Sequence, residues 1–230
     1  MSRWFFVSDL HGRQDRYSKL LEAVRDERPE AVLLGGDLLP HAGLSWQGED
    51  FLLDWLLPRL EQLRRALAGA YPRLLVLFGN DDPRSAVPSL EMIESRGLAE
   101  HVHQRRVEVA GRVVYGYACV PPTPFRLKDW ERYDVSRFVD PGGISPEEGV
   151  RSVPADERDT RWGTIEGDLV RLTGEGDLAG AVCLFHSPPY RTALDRADLD
   201  GRSVDHVRLD VNVGSIAIRR FIEARQPLVT

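Results

Sequence analysis

Residues 5–12 read FFVSDLHG. A short apolar run, built from residues that favour a pleated surface, stops abruptly at an aspartate and a histidine two positions apart. The run predicts a β-strand, and the side chains after it predict a site at the strand's carboxyl end. Three later stretches repeat the arrangement: VLLGGDLLP at 32–40 ends in Asp37, LVLFGNDDP at 75–83 in Asn80, Asp81 and Asp82, and AVCLFHSPPY at 181–190 in His186. Asp9 and His11, two apart, are expected to leave their strand on the same side and to share one cation. Gly35 and Gly36 remove side chains just before Asp37, so the backbone can turn tightly and carry that carboxylate to a common centre.

Between these runs the period is helical. Tyr17, Leu20, Leu21 and Val24 recur at helical spacing within Gln14 to Glu27, and Leu and Trp do so from Phe51 to Ala70. Strands alternating with helices predict βαβ units and a parallel sheet in the first half. From Val107 to Ala118 two alternating runs flank Ala110 and Gly111, the pattern of a β-hairpin, so the second half is expected to be partly antiparallel. Residues 121–165, rich in Pro, Gly and charge, read as a long loop excursion. A strand over Ala181 to Phe185, a helix over Ser215 to Ala224 and the start of a strand at Pro227 follow. The fold class is α/β, and the length of 230 residues is expected to form a single domain over 1–230.

A net charge of −6 opposes unspecific attraction to a polyanion, which disfavours nucleic acid and favours a small phosphate-bearing substrate. Cys119 and Cys183 each sit in an apolar run, as buried thiols of a reducing compartment would. The opening residues lack the apolar stretch and cleavage site of a signal peptide, and no segment reads as a membrane span. Together these predict a cytoplasmic protein. Its oligomeric state is not encoded in any readable pattern.

The order DxH (Asp9, His11), GD (Gly36, Asp37), GN (Gly79, Asn80) and a lone His after a strand (His186) resembles the calcineurin-like metallophosphoesterase superfamily. The resemblance implies a four-layer αββα sandwich of two mixed β-sheets flanked by helices. It also implies two divalent metal ions, manganese in the first place, with iron, zinc or magnesium as alternatives. Asp9 and His11 would bind the first metal, Asp37 would bridge, and Asn80 and His186 would bind the second. The implied reaction is hydrolysis of phosphomonoesters or phosphodiesters, cyclic nucleotides among them, by in-line attack of a metal-bound hydroxide.

Two departures from the superfamily pattern stand out. The usual GNH is here GN followed by Asp81. Asp81 is the candidate catalytic residue in that place, but a carboxyl group is ionised at neutral pH unless strongly perturbed. It would act as general acid only with a strongly raised pKa, and substrates with good leaving groups or a donor from elsewhere are expected. The superfamily's final GHxH motif is also absent, the sequence stopping at PLVT (227–230) where the preceding strand would begin. Each cation is then left with three protein ligands, through truncation or through natural loss. The rival reading is an impaired relative that binds metal or a phosphate ligand in regulation or assembly. Arg84, just past GN, is a candidate for substrate phosphate. His41, four residues past Asp37, is a further candidate at the site beside the bland reading of a residue off it. His206 is read as lying away from the site, whereas His101 and His103 read as surface residues. Phe125 to Tyr133 reads as a covering loop or a pocket wall.

Overall fold

The computed structural model describes residues 3–41, 48–196, 203–204, 207–208 and 212–230. Strand β1 (Trp4–Val7) leads through α1 (Gln14–Glu27) to β2 (Ala31–Gly35). A π-helical turn (Phe51–Leu56) runs into α2 (Leu57–Leu67), followed by β3 (Arg73–Leu77), α3 (Val87–Ser95) and the short β4 (Glu100–His101). These four strands form one sheet in the order β1-β2-β3-β4, and every pairing is parallel. All five residues of β2 are buried, as expected of a parallel strand with neighbours on both sides and cover on both faces. The long helix expected over residues 51–70 begins instead with the π turn, capped by Asp50, whose side chain accepts from Leu52 N and Leu53 N at 2.8 and 3.1 Å.

The second sheet holds β5 (Arg105–Val109), β6 (Arg112–Tyr117) and β7 (Val182–Phe185), with β5 antiparallel to β6 and β6 parallel to β7. The hairpin lies where the sequence predicts it. Ala110 and Gly111 form the two-residue turn with φ of 50° and 75°, the pair of positive values a tight hairpin requires. Helices α4 (Glu157–Trp162) and α5 (Ile165–Thr173) follow the long excursion. A small pair, β8 (Ser203–Val204) with β9 (Val207–Arg208), precedes α6 (Ile216–Arg225). The strand expected at Pro227 is realised only as a bridge from Val229 to Val182, parallel to β7.

The period-2 alternation of β6 and β7 explains the layering. Val114, Ala118, Val182 and Leu184 join the core shared with β2 and β3, whereas Tyr115, Tyr117 and Cys183 pack with Ile165, Leu169, Ile218 and Phe221 of α5 and α6. Two sheets therefore face each other, flanked by helices. One detail departs from the expectation of two mixed sheets: among the described residues only the second is mixed. The first is parallel because each link between its strands carries a helix long enough to return the chain to the same edge.

Both cysteines are free and buried, and burial pushes their thiols up, to about 11 for Cys119 and about 12 for Cys183. Among the described residues no helix is long and apolar enough to cross a membrane. His206 lies outside the described residues. His101 and His103 are not surface residues: they pack edge-on to Trp130, at 6.0 and 5.0 Å between ring centroids, and burial lowers both pKa values, that of His101 to about 4. Trp130 arrives on the 121–165 excursion, so no local pattern announces this burial. The same segment is pinned by Lys128, fully buried, with Nζ 2.5 Å from Glu131 Oε2 and 2.8 Å from Thr123 O. Phe125 to Tyr133 is therefore in large part an anchored cover, with Trp130 as its plug.

Candidate metal centre

The loops after β1 and β2 continue to bond where the strands stop. Asp9 N donates to Gly36 O at 3.0 Å, His11 N to Asp37 O at 2.9 Å and Gly12 N to Leu38 O at 2.8 Å. Asp9, His11 and Asp37 all adopt left-handed backbone, with φ of 58°, 48° and 54°. Three non-glycine residues held there within two short loops is a concentration of strain of the kind found where geometry serves a site. It also corrects one expectation. Asp9 and His11 converge because the loop curls, not because they alternate along an extended strand. Asp9 does not cap the following helix either, since the residue in that position is Arg13.

Ligating atoms of Asp9, His11 and Asp37 lie within 4.8 Å of one another, and so do those of His11, His41 and Asp81. His41 stacks on His11 at 4.2 Å, and its Nε2 is 3.6 Å from Asp81 Oδ2. The bland reading of His41 as a residue off the site is thus not what the structure shows. On the other side of Asp37, His186 follows β7 directly. Its Nδ1 is 2.8 Å from Gly35 O, while its Nε2 is 3.2 Å from Asn80 Oδ1 and 3.5 Å from Asp37 Oδ1. A carbonyl only accepts, so in the neutral ring Nδ1 carries the proton and Nε2 presents a lone pair to two oxygens that also accept. Three electron-pair donors then face one another with no proton between them, a grouping that a cation resolves.

The surroundings fit the same occupant. His11 Nδ1 is buried without a partner, and a Cβ on Gly36 would stand 2.4 Å from His186 Nδ1, so glycine is needed for the imidazole to pass. Burial pushes the Asp37 carboxyl up, and the nearby charges of Asp81 and Asp9 push the same way, against the opposing pull of His186. Oxygen and imidazole donors in this mixture suit borderline divalent metals. All five residues read from the sequence as ligands, Asp9, His11, Asp37, Asn80 and His186, are thereby brought to one centre, at the carboxyl ends of β1, β2, β3 and β7.

Asp82 has a role that sequence reading missed. Fully buried, it accepts from Leu38 N, from Leu39 N at 2.8 Å and from Gly79 N at 2.8 Å, tying the loop after β2 to the loop after β3. Burial pushes its carboxyl up to about 6 while the three N–H donors pull it down. Asp81 lies at the rim, its Oδ1 3.2 Å from Asn80 Nδ2. Arg84 is placed elsewhere: it lines a separate cavity with His103 and Arg132 that includes none of the five converging residues.

The sequence model of the family described as calcineurin-like phosphoesterase matches residues 3–211. The chain belongs to the calcineurin-like phosphoesterases. Membership implies metal-dependent phosphoester hydrolysis, in keeping with the clustered Asp and His donors. Among solved structures, one crystal structure aligns with a TM-score of 0.55 and 17% identity, covering 99% of this chain and 82% of the other. The crystal structure of TT1561 of Thermus thermophilus aligns with a TM-score of 0.52 and 17% identity, covering 100% of this chain and 80% of that one. At that identity the likeness speaks to the fold alone, a calcineurin-like phosphoesterase fold in which two sheets are flanked by helices. No curated protein matches the sequence.

Proposed function

We propose that this calcineurin-like phosphoesterase hydrolyses a small phosphomonoester or phosphodiester at a dinuclear centre. Asp9, His11 and Asp37 would hold one divalent cation, and Asp37, Asn80 and His186 would hold a second. The observation that carries the reading is the position of Asp37, which shares one group with Asp9 and His11 and faces His186 and Asn80 on the other side. Divalent cations held there, manganese the first choice and iron, zinc and magnesium the alternatives, would supply the positive charge and Lewis acidity that phosphoester hydrolysis needs. The backbone N–H of Asp81 donates to Asp37 Oδ1 at 3.0 Å and so orients the bridging carboxylate. His41 and Asp81 add an imidazole and a carboxylate at the rim beside His11. The net charge of −6 favours a small substrate, cyclic nucleotides included, over a nucleic-acid polymer.

With Mn²⁺, the chain is expected to turn over p-nitrophenyl phosphate or its bis-nitrophenyl diester, and to lose that activity to a chelator. Asp37→Asn is expected to lower kcat/KM at least about a hundredfold, because both cations lose a charged ligand at once. Steady-state kinetics with both substrates decides it. Equal rates in Asp37→Asn, or rates indifferent to the chelator, reject the proposal. A chain that binds Mn²⁺ yet turns over neither substrate points instead to the regulatory relative.

A further inference from the structure

A cavity of about 420 Å³ is walled by Arg84, His103, Gln104, Arg132, Asp168 and Arg171. It is of a size to hold a small ligand. Its acceptors are already engaged. Asp168, buried, receives Tyr117 Oη at 2.7 Å and Gln104 Nε2 at 3.2 Å on one oxygen and Arg171 on the other. Arg132 Nε lies 2.8 Å from Asp168, an ion pair without hydrogen-bond alignment, and its two terminal nitrogens donate to Asp159 at 2.6 and 2.8 Å.

Its donors are not all engaged. The guanidinium of Arg84 makes no hydrogen bond or ion pair among the described residues. Its Nε is buried without a partner, and its carbon sits 4.4 Å over the ring of Trp130. Such a group, partly desolvated and held flat on an indole, is costly to leave without an acceptor. His103 Nδ1 accepts from Ala118 N at 3.0 Å, which in the neutral ring leaves the proton on Nε2, and that atom has no acceptor among the described residues. Burial, with Arg84 next in order, holds the ring's pKa well below its ordinary value and so keeps it neutral. Three guanidiniums against the carboxylates of Asp159 and Asp168 leave one positive charge in excess.

We propose that this cavity binds the phosphoryl group of a small molecule, through the Arg84 guanidinium and His103 Nε2–H, with Arg171 at the mouth. Spare donors on different walls suit a tetrahedral anion that accepts from several directions better than a planar carboxylate. The volume exceeds that of phosphate alone and leaves room for an organic body. The site is distinct from the metal centre, since no cation ligand lines it.

The test is calorimetric titration of metal-free protein with inorganic phosphate, AMP and acetate, in wild type, Arg84→Gln and Arg171→Gln, with circular dichroism checking the fold. The expected result is saturable binding of phosphate and AMP but not acetate, weakened at least about tenfold in Arg84→Gln and less in Arg171→Gln, whose side chain is two-thirds exposed. Equal affinity for phosphate and AMP assigns recognition to the phosphoryl group alone, and tighter AMP adds a pocket for its body. Phosphate binding that requires added Mn²⁺, acetate bound as tightly as phosphate, or affinity unchanged in Arg84→Gln overturns the proposal. Should Arg84→Gln lose its fold, Arg171→Gln decides: unchanged affinity there counts against the site.

Discussion

Replacing Gly79 by alanine is expected to weaken divalent-cation binding at least about a hundredfold, beyond the usual effect of disturbing a single supporting contact. A Cβ at position 79 would stand 2.1 Å from Asp37 Oδ1 and 2.5 Å from both Asp37 N and His186 Nε2. These are the atoms around which the centre is built, and Asp37 N is backbone, so it cannot rotate away. The Asp37 carboxylate and the His186 imidazole would have to part, and with them the geometry on which the proposed two-cation centre rests. Titration with Mn²⁺ followed by electron paramagnetic resonance measures the loss. Gly69→Ala, where an added Cβ meets nothing within 4 Å, is the control. Wild-type affinity in Gly79→Ala would show that the five side chains meet by accident of packing.

The largest effect on stability is expected at Asp82. Truncation to alanine leaves Leu38 N, Leu39 N and Gly79 N without their acceptor in a buried place. Each orphaned donor costs about 1–3 kcal/mol, so even with partial rescue by water the loss is expected to be about 3 kcal/mol or more. Asp82→Asn keeps an oxygen for some of these donors and is expected to lose less. Urea unfolding at neutral pH compares the three proteins. A loss below about 1 kcal/mol for Asp82→Ala would mean that the loops hold themselves together without the carboxylate.

These two residues mark where sequence reading succeeds and where it stops. The strands, the hairpin and the candidate ligands Asp9, Asp37, Asn80 and His186 are legible because each side chain follows an apolar run, and position relative to a strand is a local property. Asp82 is not, because NDDP is an ordinary turn sequence, and nothing in its spacing says that the third acidic or amide side chain points inward to three backbone donors. The burial of His101 and His103, and the placement of Arg84 over Trp130, depend on a plug delivered by a segment without periodicity. Contacts of that kind are written in the tertiary fold. Even His11, which meets Asp9 and Asp37 in space, reaches them through left-handed backbone that its two-residue spacing from Asp9 does not reveal.

Asp37 is expected to stand between two cations. Crystals grown with Mn²⁺ and measured at the manganese absorption edge test it most directly. Two anomalous peaks are expected roughly 3.5–4 Å apart, one beside Asp9 and His11, the other beside Asn80 and His186, with Asp37 between them. A single peak away from Asp37, or none at full manganese occupancy elsewhere in the crystal, would contradict it.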